Sequence, residues 1–266
     1  MSETLVQTAQ HVLTEKSAGV LTLTMNRPDK KNALTREMYQ ALADGIDGAE
    51  FDRDVRCVLI QANGDMFTAG NDLGEFAAVN AGEASALDAR RGGNPLLDAL
   101  ARAKTPIVAA VNGRAVGVGV TMLLHCDLVY ITEDTLLTTP FVNLALVPEA
   151  ASSLQLPERI GHARAFSMFV LGEAVDAPKA VAWGIANEAV PAAELRARAR
   201  AAAEAVAARP PSAVQITKAL MRDPARLADR IGEEGRHFSA QLKTAEAKEA
   251  FAAFREKRAP DFGKLA

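Results

Sequence analysis

Residues 107–119 read Ile107-Val108-Ala109-Ala110-Val111-Asn112-Gly113-Arg114-Ala115-Val116-Gly117-Val118-Gly119. Five consecutive apolar residues suit a strand covered on both faces, and Asn112-Gly113 ends the run with a turn signal. The glycines that follow lead into a further apolar stretch. An earlier junction has the same design. Val55 to Ala62 is a short apolar run ended by Asn63-Gly64-Asp65, followed by Phe67-Thr68-Ala69-Gly70-Asn71-Asp72-Leu73. Two buried strands that each feed a glycine-bearing turn predict an α/β fold. Backbone N–H groups at such a turn into a helix are unpaired and face outward, so two converging turns would make a two-donor hole for a developing oxyanion. The same glycines also suit tight turns and close packing, and spacing alone leaves both readings open.

The pattern extends in both directions. His11 to Lys16 and Val20 to Met25 flank Ser17-Ala18-Gly19 and read as a hairpin. Thr35 offers an N-cap to a helix marked by Met38, Leu42 and Ile46. A helix near Pro95 to Ala103 and strands at Asp127 to Thr132 and Thr135 to Thr138 continue the alternation. From Glu158 onward alanine, arginine and glutamate dominate. Helices are expected at Leu195 to Ala208, Ser212 to Met221, Leu227 to Leu242 and Ala245 to Lys257, with Ile185 to Val190 as a last strand or extended connection. The sequence shows no fixed-period repeat. An α/β core over 1–200 with a helical layer over 201–266 is the expected organisation.

Composition narrows the function. The chain has 266 residues, 49% hydrophobic and 24% charged, which is ordinary for a globular protein. Thirty basic and thirty-three acidic residues give a net charge of −3, so no broad nucleic-acid footprint is expected and an anionic ligand would be held locally. Cys57 and Cys126 are far apart and beside apolar residues, which favours buried thiols over a disulfide. The apolar tract from Ala115 to Cys126 is too short for a membrane span. Without a basic-then-apolar leader or a C-terminal Ser-Lys-Leu, a cytoplasmic protein is expected. His11, His125, His162 and His237 lack ligand spacing, and no metal site is expected. Gly117-Val118-Gly119 lacks the third glycine of a dinucleotide fingerprint, while P-loop and Gly-x-Ser-x-Gly signatures are absent.

A third segment, Thr139 to Ser153, contains Pro148-Glu149-Ala150-Ala151-Ser152-Ser153. Pro148 suits the first turn of a helix and would place Glu149 in that turn. There Glu149 would either complement the helix dipole or, among apolar neighbours, have its pKa raised toward that of a useful base.

Together these segments resemble the enoyl-CoA hydratase/isomerase (crotonase) superfamily from about Val20 onward. The resemblance rests most on Met25-Asn26-Arg27-Pro28-Asp29-Lys30-Lys31-Asn32-Ala33-Leu34, the Ala69 to Leu73 turn and Val111-Asn112-Gly113. It implies a superhelical core of repeated ββα turns and C-terminal helices that build homotrimers or dimers of trimers, with Trp183, Phe238, Phe251 and Phe254 as packing residues. It implies an acyl-CoA thioester as substrate and no tightly bound cofactor. The thioester oxygen would be held by the backbone N–H groups of Asn71 and Val118, the latter replacing the family's usual glycine. Coenzyme contacts would fall to Lys31, Ala33, Leu34, Ala69, Asp72 and Leu73, with Lys30 or Lys31 and the C-terminal Lys257 as phosphate partners.

The departures from the family pattern discriminate among its reactions. Family hydratases carry two glutamates where this chain has Thr121 and Phe141. The chain instead resembles peroxisomal-type Δ3-Δ2-enoyl-CoA isomerases, which share its Gly-Asn-Asp-Leu turn, a Val116 to Thr121-like stretch, Thr-Pro-Phe, and Pro-Glu before paired serines. The base of that branch matches Glu149. Alternatives are hydration by a divergent base and a non-catalytic homologue that binds RNA or protein. The implied self-association gives a direct check: sedimentation should show trimers or hexamers, and a monomer alone would contradict it.

Overall fold

The computed structural model of the chain describes residues 7–9, 11–72, 74 and 94–265. A seven-stranded sheet forms its centre. Strand β1 (Gln7–Ala9) pairs with β2 (Val12–Ser17), and β2 with β3 (Val20–Met25), both antiparallel. Parallel pairing then runs through β4 (Cys57–Ala62), β5 (Ile107–Val111), β7 (Leu128–Thr132) and β10 (Glu188–Val190). A smaller sheet holds β6 (Arg114–Val116), β8 (Leu136–Thr138) and β9 (Val175–Asp176). The chain passes from the large sheet to the small one in β5–β6 and again in β7–β8, which makes the ββα repeat explicit there.

The apolar runs are continuous because both faces of the large sheet are covered. Val58, Ile60, Ile107, Ala109 and Val111 point into one core; Cys57, Leu59, Val108 and Ala110 point into another. The first core is closed by α1 (Arg36–Phe51) and α2 (Pro95–Arg102). Thr35 caps α1, its side-chain oxygen accepting from the Met38 N–H at 3.3 Å. The second is closed by α7 (Leu195–Ala207), whose Ala199, Ala202, Ala203 and Ala207 allow close approach to the strands. The boundary expected at residue 200 falls inside α7. Both cysteines are free and buried, and burial pushes each thiol up to about 12.

Between these elements lie α3 (Val118–Thr121), α4 (Ser152–Ile160), α5 (His162–Phe166) and α6 (Ala177–Ala182). The C-terminal helices are α8 (Pro211–Leu220), α9 (Pro224–Gln241) and α10 (Ala245–Glu256). Helix α9 returns to pack on α2, which brings residues far apart in sequence to one side of the core. Phe238 and Phe251 are buried and Trp183 is half-buried under the Arg164 guanidinium. Phe254 is 59% exposed on this chain. No helix among the described residues is long and apolar enough to cross a membrane.

Candidate active site

The first glycine turn is assembled around Asn32. This side chain is fully buried, its residue left-handed at φ 51°. Its amide oxygen accepts from the Arg27 N–H at 2.8 Å, and its amide nitrogen donates to the carbonyls of Asn63 and Met66, each at 2.8 Å. The Asn32 carbonyl accepts from Thr68 Oγ1 at 2.7 Å, and Thr68 Oγ1 accepts from the Gly70 N–H at 3.0 Å. Leu34 donates its N–H to the Gly70 carbonyl and accepts at its own carbonyl from Asp72 N–H, at 2.8 and 3.1 Å. In a parallel bridge of this kind the residue between, Asn71, directs its own N–H to the opposite side. The Asn71 side-chain oxygen accepts from the Tyr39 hydroxyl, which fixes the residue's orientation.

The second turn is sewn directly to the first. Phe67 N–H donates to the Asn112 carbonyl at 2.8 Å, Thr68 N–H to Arg114 at 3.2 Å, and Val116 N–H to Thr68 at 3.1 Å. Thr68 therefore faces Ala115 in parallel register; Asn71 follows three residues after Thr68, and Val118 three after Ala115 at the start of α3. Gly70 has φ +89°, and a Cβ there would stand 2.9 Å from the Val116 carbonyl oxygen. A Cβ on Gly119 would meet the Thr68 Cγ2 methyl at 2.4 Å. Both glycines are what let the turns touch. Val118 opens α3, so its N–H reaches no intrahelical carbonyl. Its side chain is fully buried in the core, so the isopropyl group stays clear of the face that the N–H presents.

Glu149 lies beyond the helix in which it was expected. Helix α4 starts only at Ser152, because Ala150 and Ala151 are both left-handed, with φ 63° and 54°. Two such non-glycine residues cost about 1–2 kcal/mol each and persist only where the surroundings over-determine them. The carboxylate at the start of α4 belongs instead to Glu234 of α9. Its oxygens accept from the Ala151 N–H at 2.6 Å and the Ser153 N–H at 2.9 Å. On the other side His125 Nε2 lies 2.7 Å from the Ala150 carbonyl, while its Nδ1 is 2.5 Å from a nitrogen of Arg222. Since a carbonyl only accepts and a guanidinium only donates, His125 carries its proton on Nε2. Burial, then the Arg222 charge, pushes its pKa down to about 3, so the ring is neutral.

Glu149 is itself 6% exposed and borders a cavity of about 580 Å³. Leu97 and Asp98 of α2 and Ile231 and Phe238 of α9 form other parts of its wall. Thr121 and Phe141 are both buried; Thr121 Oγ1 turns back toward the Val118 carbonyl at 3.5 Å, and Phe141 packs against Phe169. Gly117 ties the second turn to β8, donating its N–H to the Thr138 carbonyl at 2.8 Å.

The paired glycine turns and the buried Glu149 find a match among known proteins. The family profile described as enoyl-CoA hydratase/isomerase matches residues 15–264. The chain belongs to the enoyl-CoA hydratase/isomerase family of enzymes. It is 35% identical over 221 residues to enoyl-CoA delta isomerase 2 of Rattus norvegicus, covering 81% of this chain and 55% of the rat protein, just over half its length. It is 31% identical to 1,2-epoxyphenylacetyl-CoA isomerase of Escherichia coli K12, over 95% of this chain and 98% of that one. A crystal structure of an enoyl-CoA hydratase/isomerase from Pseudoalteromonas atlantica T6c superposes with a TM-score of 0.88 at 42% identity, covering 95% of this chain and all of the other. Pseudomonas aeruginosa OdaA gives 0.85 at 43%, covering 92% and 99%. The expected crotonase fold is thereby established.

The remaining candidate residues divide. Lys31, Ala33, Leu34, Ala69 and Asp72 gather at the Asn32 hub, whereas Leu73 lies outside the described residues. Asp72 is a structural partner there: its carboxylate accepts from Arg27 at 2.7 Å and from the Gly74 N–H at 2.9 Å. An acidic group so engaged ties the turn to residues 27–34. Lys31 pairs with Asp65 at 2.7 Å on the surface, a contact weak enough to exchange for another anion. Lys257 ends α10, which packs on residues 142–144, and is not among the residues gathered at the first turn. Glu234, His125 and Arg222 carry no local motif; only the 3-D fold brings them to the Glu149 loop.

The Thr68–Gly119 contact gives a testable pair of variants. Gly119→Ala should lower turnover at least ~10-fold by pushing Thr68 and separating the turns, against the ~10²–10³-fold typical of losing one oxyanion donor outright. Adding Thr68→Ser removes the obstructing methyl but keeps Oγ1, so steady-state turnover of the double variant should recover. A double variant no better than Gly119→Ala would contradict this packing.

Proposed function

We propose that this chain is an acyl-CoA enzyme that moves the double bond of a 3-enoyl thioester into the 2-position, with Glu149 as its only acid/base. The carrying observation is a buried carboxylate on the wall of an acyl-sized cavity, with Thr121 and Phe141 buried where hydratases of the family carry glutamates. The isomerase name borne by the rat relative supports the same reading.

The chemistry requires one group. Glu149 removes a proton from C2, leaving a dienolate whose charge rests on the thioester oxygen. The N–H groups of Asn71 and Val118 stabilise that oxygen, a contribution of about 2.7–4 kcal/mol per donor in comparable sites. The protonated carboxyl then returns the proton at C4, which restores the base and leaves the conjugated product. Backbone donors carry no charge, and local lysines such as Lys31 would meet the coenzyme phosphates, which suits a chain of net charge −3. The acyl-CoA is substrate, and no further cofactor enters the reaction.

One observation favours a second reading. Asp98 shares the cavity wall with Glu149, and burial holds its carboxyl above the usual carboxylate range, the Arg102 charge opposing. A pair of carboxyl groups is what adding water across a 2-enoyl bond needs, so hydration with Asp98 as the divergent group is the alternative.

Paired assays decide between them. With the intact protein, a 3-enoyl-CoA should gain conjugated-thioester absorbance, and a 2-enoyl-CoA should not lose it; the reverse result indicates hydration. Glu149→Gln should lower isomerase kcat by about 10²–10⁴-fold with thioester affinity little changed. Near-normal turnover in that variant would remove Glu149 as the base.

A further inference from the structure

We infer that Glu234 is a positioning residue: it and His125 clamp the two left-handed alanines that aim the Glu149 carboxylate at the substrate. The inference rests on the assignment of Glu149 as the base. It begins from a conflict in the backbone. Ala150 and Ala151 have φ values that alanine rarely adopts, and both lie in the dry interior, 1% and 0% exposed. A helix beginning at Pro148 would relieve both residues but would turn Glu149 into the first helical turn.

The relaxed alternative is blocked from two sides by groups that are themselves held. Glu234 takes the Ala151 and Ser153 N–H groups, one on each oxygen, so it fixes the backbone immediately after the base and the start of α4 at once. Its carboxylate is buried; burial raises its pKa, and the hydroxyl and N–H of Ser153, the Ala151 N–H and the Arg230 charge oppose that rise. His125 takes the Ala150 carbonyl with Nε2–H, and Gln155 Nε2 donates to the same oxygen at 3.4 Å. Arg222 locks the imidazole by donating to Nδ1 and by holding the His125 and Leu100 carbonyls at 3.0 and 3.1 Å. Residues on either side of Glu234 along α9, Ile231, Gly235 and Phe238, line the cavity that Glu149 borders. One helix thus shapes the acyl cavity and sets the loop that carries the base. Glu234 meets the loop through the Ala151 and Ser153 N–H groups, and its effect on the reaction passes through residues 150–153.

Glu234→Gln keeps one acceptor and Glu234→Ala keeps none, which gives a graded test with 3-hexenoyl-CoA as substrate. The expected result is kcat lower by about 5–10-fold for Gln and about 100-fold for Ala, with KM within about twofold of the parent. Binding of 2,4-hexadienoyl-CoA provides the second readout, since the red shift of its bound thioester absorbance reports the backbone donors and not the base. That shift, and a stoichiometry of one per chain, should persist in both variants. Turnover within twofold of the parent in Glu234→Ala would overturn the clamp. Stoichiometry falling in step with kcat would overturn it too, reducing Glu234 to a residue that holds the fold. Glu149→Gln measured alongside separates the two assignments. Near-normal turnover there removes the base and the clamp's purpose with it, whereas its loss beside full activity in Glu234→Ala removes the clamp alone.

Discussion

The parallel contact of residues 67–70 with residues 112–116 is the interaction on which the site depends. Three backbone hydrogen bonds join them, and Gly70 and Gly119 supply the room for the approach. Everything else serves that contact. The large sheet delivers the two segments from adjacent strands, β4 and β5, and the Asn32 side chain holds the first of them from behind. Asn71 and Val118 each follow three residues past the Thr68–Ala115 bridge, both on backbone held by glycine turns. Side chains contribute nothing at those two positions that valine in place of glycine would spoil. In the proposed reaction a donor pair built this way would need no reorganisation when charge develops on the thioester oxygen.

The carboxylate is placed by a different logic. The donors come from neighbouring strands, but Glu149 stands on a loop forced into an uncommon conformation and held by residues from 25 positions before it in the chain to more than 80 after it. The arrangement spends local stability to hold a functional group in place, as strained backbone at functional sites commonly does. Neutral His125 donates to a carbonyl oxygen, and the two Glu234 carboxyl oxygens accept from two N–H groups.

Local patterns carried most of the fold into view from the sequence. The Thr35 cap, the hairpin over 12–25 and the apolar runs at β4 and β5 follow from rules that act within a few residues, and the structure has them within one or two positions. Both glycine turns were legible for the same reason. What escaped is long-range. Alanine gives no sign of a positive φ, so Pro148 read as a helix start and Glu149 as its first turn, and the role of helix-start carboxylate passed to Glu234. Phe254 and Phe251 lie on one helix, and only the docking of α10 decides which of the two is covered on this chain. The change in composition at Glu158 gave no sign of where α7 docks, which is fixed by the small side chains it lays on the sheet.

The central claim is that one carboxylate both removes the proton at C2 and returns it at C4 above a fixed pair of backbone donors. The most direct measurement is the stereochemical course of the reaction, read by NMR on product formed from a 3-enoyl-CoA carrying deuterium at one C2 position. A single base requires removal and delivery on the same face of the planar dienolate. Same-face transfer is the predicted result. Delivery to the opposite face would require a second group and would contradict the account.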